Sequence, residues 1–475
     1  MRWPGFVGPS YRSQSLVASA ERLVNWYPEA VQTEGAKTRV VFYPTPGVRA
    51  FAAAPAVGGR GLFAQAGRCF VVCGAALHEV QSGRTTISRG TVDVDQYPAT
   101  LVTNGDGGGE LFVTSGKQGY VLTLATNVLT SEVANATMGD MLNGYFLRFD
   151  IASSTLGISD LLDGTTWDPT QIAQRSIAPD PWRAMIVANQ RVWLLGEETT
   201  EVWYDAGTSP FPLAAVTGLV IPYGIRAPFS LRRVGSSLMW ISQTTNGDAI
   251  VVEGQGYDPQ RVSTFAVEYA WSRYGRIDDA VGFSYQQLGH TFYEVNFPSA
   301  NATWVYDQTM GLWHERGHWN TTLSRYEAWG PQFHAFAFGT HLVLDFRTGA
   351  ILELTPDAFT DVGGAVMRRE RIPPALFAEH KRLFVDAFEV YLESGLGLVS
   401  GQGSDPQVML SWSPDGGKTF GAEHWRTAGA LGAYSTRVRW LRQGSGVDLV
   451  PKLVCSDPIG WRLIDAFATV REGTA

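Results

Sequence analysis

Lysine is nearly absent from this 475-residue chain: five lysines stand against 32 arginines, and charged residues make up only 17%. The arginine skew is most simply a coding bias. So low a charge content excludes a disordered tail or a coiled coil. The net charge of −8 argues against a broad nucleic-acid grip, which needs a basic footprint. Cysteine is scarce too, at Cys69, Cys73 and Cys455. An odd, sparse count excludes a disulfide framework and fits buried free thiols in a reducing compartment. Cys69 and Cys73 would lie about 13 Å apart on one strand, too far to bridge. No apolar run approaches the 18 residues of a membrane span, FPLAAVTGLVIP being short and broken by proline and glycine. The opening MRWPGFVGPSYRS lacks the apolar core of a secretory signal, so a soluble chain made in the cytoplasm is expected.

What is present is glycine (52), proline (24) and aromatics, with 16 tryptophans. That composition reads as many short strands joined by tight turns. A unit recurs: a glycine or asparagine turn, an apolar strand, a second turn, and a strand ending in aromatics. It begins near Gly67, Gly109, Asn143, Asn189, Gly235, Gly289 and Phe333, with a mean period near 44 residues. This is the period of a four-stranded propeller blade. The expected fold is therefore all-β: a β-propeller of about seven blades over residues 56–356. The stretch 357–375, with VGGAV, MRRER and a Pro-Pro pair, reads as a linker. Alternating strands such as RLFVDAFEVYLES and PQVMLSWS then predict a small antiparallel β-sandwich over 376–475. Residues 1–55 show no clean period and read as an extended arm over the surface.

His314-Glu315-Arg316-Gly317-His318 is a literal H-E-x-x-H. A zinc protease needs both histidines on one helical face. The surrounding MGLWHERGHWNTT predicts strand or loop, which would hold the imidazoles about 13 Å apart. A blade strand with exposed histidines is expected, and no metal. Ser413, Asp415, Gly417, Thr419 and Phe420 match the Asp-box pattern S-x-D-x-G-x-T-F, in which the serine and aspartate cap a tight hairpin turn. A single copy signals a hairpin, not a catalyst. Asp150, Asp163, Asp168 and Asp205 lie near turns, where capping explains them, and none has the spacing of a glycosidase pair. NGDGGGE at 104–110 lacks a following lysine-serine and a helix, so it reads as a hairpin turn, and GLGLVSGQG at 395–403 as strand-to-loop. No G-x-S-x-G nucleophile motif stands out. No catalytic residue and no cofactor are expected.

Several segments together carry a resemblance. They are GPSY and NWYPE near the start, TPG at 45–47, RGL at 60–62, WVYDQTMGLWHERG, GQGSDPQVMLSWSPDGGKTFG and RVRWLRQG. In this order the chain resembles the packaged-DNA stabilisation proteins of short-tailed bacteriophages (podoviruses), also called tail hub or nozzle proteins. The resemblance spans nearly the whole chain. It implies a propeller-bearing structural subunit of the virion tail, assembled in the host cytoplasm as a ring of six. The implied ring sits beneath the portal and its head-to-tail adaptor, continues the DNA channel without specific recognition, and retains packaged genome. It also seats the tail needle or plug and the tailspikes or fibres. An acidic lumen would repel the DNA backbone and let it slide. Two other readings stay open: a receptor- or carbohydrate-binding propeller, suggested by the aromatics and the Asp box, and a sialidase-like glycoside hydrolase.

Overall fold

The computed structural model describes residues 1–33, 35, 38–174, 179–244 and 246–473. Six four-stranded antiparallel sheets, together with the four antiparallel strands between Val281 and Arg316 that form one end of a larger sheet, make seven blades around an axis. Their first strands, Gly59–Gln65, Thr100–Thr103, Met138–Leu142, Trp182–Ala188, Arg232–Val234, Val281–Gln287 and Pro331–Ala337, stand innermost and neighbour one another in turn. Each repeat unit read in the sequence contains the middle hairpin of one blade, as Arg68–Cys73 with Ala76–Val80 in blade 1 or His290–Phe297 with Ala302–Asp307 in blade 6.

The turn signal has a local cause. Ala66–Gly67, Asn143–Gly144, Asn189–Gln190, Leu288–Gly289 and Phe338–Gly339 join first to second strands, with positive φ at both residues of each pair. Two successive left-handed residues make the hairpin turn whose twist matches that of the flanking strands, and asparagine and glycine adopt it most cheaply.

Blade 7 is closed from the other end of the propeller sequence. Its outer strand is Gly47–Ala52, antiparallel to Ile351–Thr355 with Val48 opposite Leu354. Closing the ring with a strand distant in sequence ties the two ends of the propeller together and leaves only a short outer edge in that blade.

Beyond the propeller, two sheets pack face to face around Leu23, Trp26, Phe42, Phe388, Trp440 and Trp461. One sheet runs Trp26–Ala30, Val40–Pro44, Leu463–Glu472, Leu383–Leu392, Val438–Leu441. The other runs Ala20–Val24, Arg369–Ile372, Val450–Cys455, Gln407–Ser413, His424–Thr427. The architecture is thus a propeller followed by a sandwich, as the pattern predicts.

Two expectations need correcting. The first 55 residues are not a surface arm. Trp3, Phe6, Leu23, Trp26 and Phe42 are core residues of the sandwich, and 47–52 completes blade 7. Nor is 357–375 a plain linker, since Arg369–Ile372 is a wholly buried strand between Ala20–Val24 and Val450–Cys455. A short strand covered on both faces shows no polar alternation, so its sequence carries no period.

Candidate functional site

The five Asp-box residues are brought together at the end of strand Gln407–Ser413. Ser413 Oγ accepts the Gly417 amide at 2.8 Å and donates to Asp415 Oδ1 at 2.5 Å. Asp415 also accepts the amides of Lys418 and Thr419 and the Thr419 hydroxyl, the last at 2.6 Å. Hydrogen bonds from the Ser413 and Thr419 hydroxyls hold the Asp415 carboxyl well below the usual carboxylate range. Gly417 has φ +90°, and a Cβ there would come 2.4 Å from Ala20 Cβ. Phe420 packs beside Ala20, Ile372 and Val450, with Lys452 Nζ 4.5 Å from its ring centre. The turn therefore braces the sandwich against strand Ala20–Val24.

The H-E-x-x-H residues occupy two consecutive strands, Leu312–Arg316 and His318–Asn320. The expectation of exposed histidines fails for His314, which is 1% exposed, while His318 is half-buried. Strand Leu312–Arg316 is not an outer edge, because Ala20–Val24 lies alongside it. Burial pushes the His314 imidazole down to about 3, and its Nδ1 has no partner. His318 lies 2.9 Å from Asp361, whose hydrogen bond raises it above its ordinary value. Glu315 is held by Arg22 at 2.6 Å and Ser10 at 3.0 Å, so it is not placed as a general base. Among the described residues no three His, Cys, Asp or Glu side chains cluster as a metal would require.

The turn acids cap as the sequence suggests. Asp150 accepts the amides of Ala152 and Ser153, Asp163 that of Thr165, Asp168 that of Thr170 and Asp205 that of Gly207. Segment 104–110 differs from a bare hairpin turn, holding one short helical turn, Gly105–Gly108, before strand Glu110–Ser115. The three cysteines are buried and free, with burial raising the Cys69 and Cys73 thiols to about 12.

What sequence reading did not find is the seam between the domains. Val24 pairs in parallel with Glu315, so the second sandwich sheet continues blade 6 as one ten-stranded sheet. Arg22 lies between two carboxylates, Glu315 of the propeller at 2.6 Å and Glu370 of the sandwich at 3.2 Å. Burial opposes its charge, yet the two acids outweigh that and raise its pKa. Arg371, fully buried, donates to the carbonyls of Gly5, Phe6 and Pro9 and pairs with Glu21 at 3.1 Å. Arg316 lies beneath Trp329, donates to the Pro46 carbonyl and pairs with Glu294 at 3.3 Å, both fully buried. Burial pushes the Glu294 carboxyl up to about 7 against the pull of Arg316. A charge buried this deeply is tolerated only where its partners are fixed, so each pair demands one geometry.

The propeller's own channel is closed. A cavity of about 730 Å³ opens at one mouth and one of about 390 Å³ at the other, and Pro228, Phe229 and Phe333 line both. Phe229 and Phe333 are 4% and 6% exposed, so they form the partition. Duplex DNA, about 20 Å across by the groove dimensions it presents, has no path through a single propeller.

Two family models match this chain: "Bacteriophage P22 Gp10, beta-propeller" over residues 8–358 and "Bacteriophage P22 Gp10, beta-sandwich" over residues 368–465. The chain belongs to this family of phage structural tail proteins. No curated protein sequence matches it. Similar solved structures include the N-terminal domain of Nup159, at 9% identity and TM-score 0.41, covering 69% of this chain and 98% of that one. BamB from Moraxella catarrhalis is similar at 11% identity and TM-score 0.39, covering 70% and 97%. An exo-β-1,3-galactanase from Phanerochaete chrysosporium is similar at 9% identity and TM-score 0.31, covering 90% and 100%. Likeness at that level carries no argument about function.

Proposed function

We propose that this chain is the tail hub, or nozzle, subunit of a short-tailed phage, a structural protein and not an enzyme. Six copies form a ring beneath the portal and its adaptor. The ring continues the DNA channel, retains the packaged genome, and seats the needle and the tailspikes. The observation that carries this reading is the family match over both domains. Two structural features support it. The propeller channel is blocked by Phe229 and Phe333, so a conduit for duplex has to lie between subunits. The continuous sheet and the Arg22 bridge couple propeller and sandwich into one block, which is what a closed ring requires of its subunit. Asp150, Asp163, Asp168, Asp205 and Asp415 accept backbone amides at turns, which supports a structural role for those five carboxylates.

Cryo-electron microscopy of isolated tails tests the reading. Six copies around the axial channel, between adaptor and needle, are expected. Density for this chain at a peripheral fibre tip would overturn it in favour of a receptor-binding role.

A further inference from the structure

We propose that the larger of the two cavities at the ends of the propeller channel is a binding site for a neutral sugar, a hexopyranose unit seated on aromatic side chains and held by paired polar groups. The cavity there, about 730 Å³, is the size of a small-ligand pocket. Its floor is the Phe229–Phe333 partition, and Tyr97, stacked on Phe229 at 5.6 Å, forms part of the wall. Tyr97 is fixed in place: its amide donates to Asp95 Oδ1 at 3.1 Å, and its carbonyl accepts Arg60 at 3.0 Å. The wall is therefore built before any ligand arrives, which lowers the ordering cost of binding.

The charges decide the ligand class. Four arginines and four carboxylates line this mouth. Three of the arginines are tied to carboxylates of the same mouth: Arg60 to Asp95 at 2.9 Å, Arg276 to Asp278 at 2.7 Å, and Arg183 to Glu197. An anion would face the four acids, and a cation the four guanidinium groups. Two buried polar atoms of the lining have no hydrogen-bond partner. Gln332, 5% exposed, has an Nε2 with no hydrogen-bond partner, and Asp279 Oδ1 likewise has none. One is a donor and the other an acceptor. A hydroxyl serves both at once, and adjacent hydroxyls of a pyranose match planar carboxylate, amide and guanidinium edges. The C–H face of the ring suits the aromatic wall. A purely apolar ligand would leave the Gln332 amide buried and unsatisfied, which is costly.

Saturation-transfer NMR and calorimetry on the full chain test this, with the methyl glycosides of glucose, galactose, mannose and N-acetylglucosamine as probes. At least one is expected to bind with Kd on the order of 1–10 mM, as suits a ligand of about a dozen heavy atoms. Glucuronate and glucosamine, the charged controls, are expected to bind at least ~10-fold more weakly. Gln332→Leu is expected to weaken binding at least ~10-fold while leaving melting unchanged or raised, since it removes an unpartnered buried amide. Tyr97→Ala should also weaken binding, whereas His334→Ala, in the cavity at the other mouth, should not. The proposal is overturned if none of the four glycosides transfers saturation at about 20 mM, well above the affinity expected here. It is equally overturned if a charged sugar binds best, or if binding survives both Gln332→Leu and Tyr97→Ala.

Discussion

Arg22 and Glu315 lie 293 residues apart in sequence and 2.6 Å apart in space. The contact joins a strand of the sandwich to the outer strand of blade 6, immediately beside the Val24–Glu315 pairing that makes the two sheets one. Glu370, 3.2 Å away on the sandwich side, completes the bridge.

Arg22→Met should leave Glu315 and Glu370 facing each other without their shared cation. A loss of about 2–4 kcal/mol is expected, as for a partly buried pair with one partner removed. Chemical denaturation measures it. Arg22→Met combined with Glu315→Gln should recover part of the loss; strict additivity of the two would mean the pair is not coupled.

At the Asp-box turn, Asp415→Ala should cost about 1 kcal/mol through lost capping. Gly417→Val should cost more, because that residue has φ +90° and its Cβ would press on Ala20. Equal and negligible effects on the melting curve would show that the turn does not brace this strand. Because the folded Asp415 pKa is depressed, its contribution is present above the unfolded value near 4 and is lost as pH falls through the folded one.

His314 should contribute a loss of stability on acidification. It is buried neutral beside Arg316 and His290, with its pKa pushed down to about 3. The unfolded chain takes up a proton below about 6.5 and the folded one does not, so stability falls by up to about 1.4 kcal/mol per pH unit on acidification. Glu294, raised to about 7, has the opposite sign: its contribution is greatest below the unfolded value and is lost as pH rises through 7. His314→Leu should flatten the acid limb of a urea-denaturation series between pH about 6.5 and 5, where its own linkage acts. An unchanged slope would mean that His314 titrates normally in the folded chain.

Trp26, fully buried between the sandwich sheets and stacked on Phe42, should behave as core and not as part of an arm. Trp26→Ala is expected to cost about 3–5 kcal/mol. A shift in melting no larger than that of an exposed-site substitution would return residues 1–55 to the surface.

The sequence alone determined the blades, their approximate number and the order of propeller and sandwich. The reason is that these features are local. A left-handed turn pair such as Asn143–Gly144 and the alternating strands beside it are specified within about 15 residues, and they recur. It also placed the Asp-box turn, whose hydrogen bonds span four residues. Tertiary structure decided the rest. Strand Gly47–Ala52 finds its partner about 300 residues onward, and Arg369–Ile372 is buried along its whole length, so it does not show the alternation by which a strand is recognised. The arginines of MRRER look like a solvated linker because their environment is not written beside them. Arg371 is buried only because the carbonyls of Gly5, Phe6 and Pro9 return to meet it, and a charge becomes affordable in a core only when distant backbone supplies its partners.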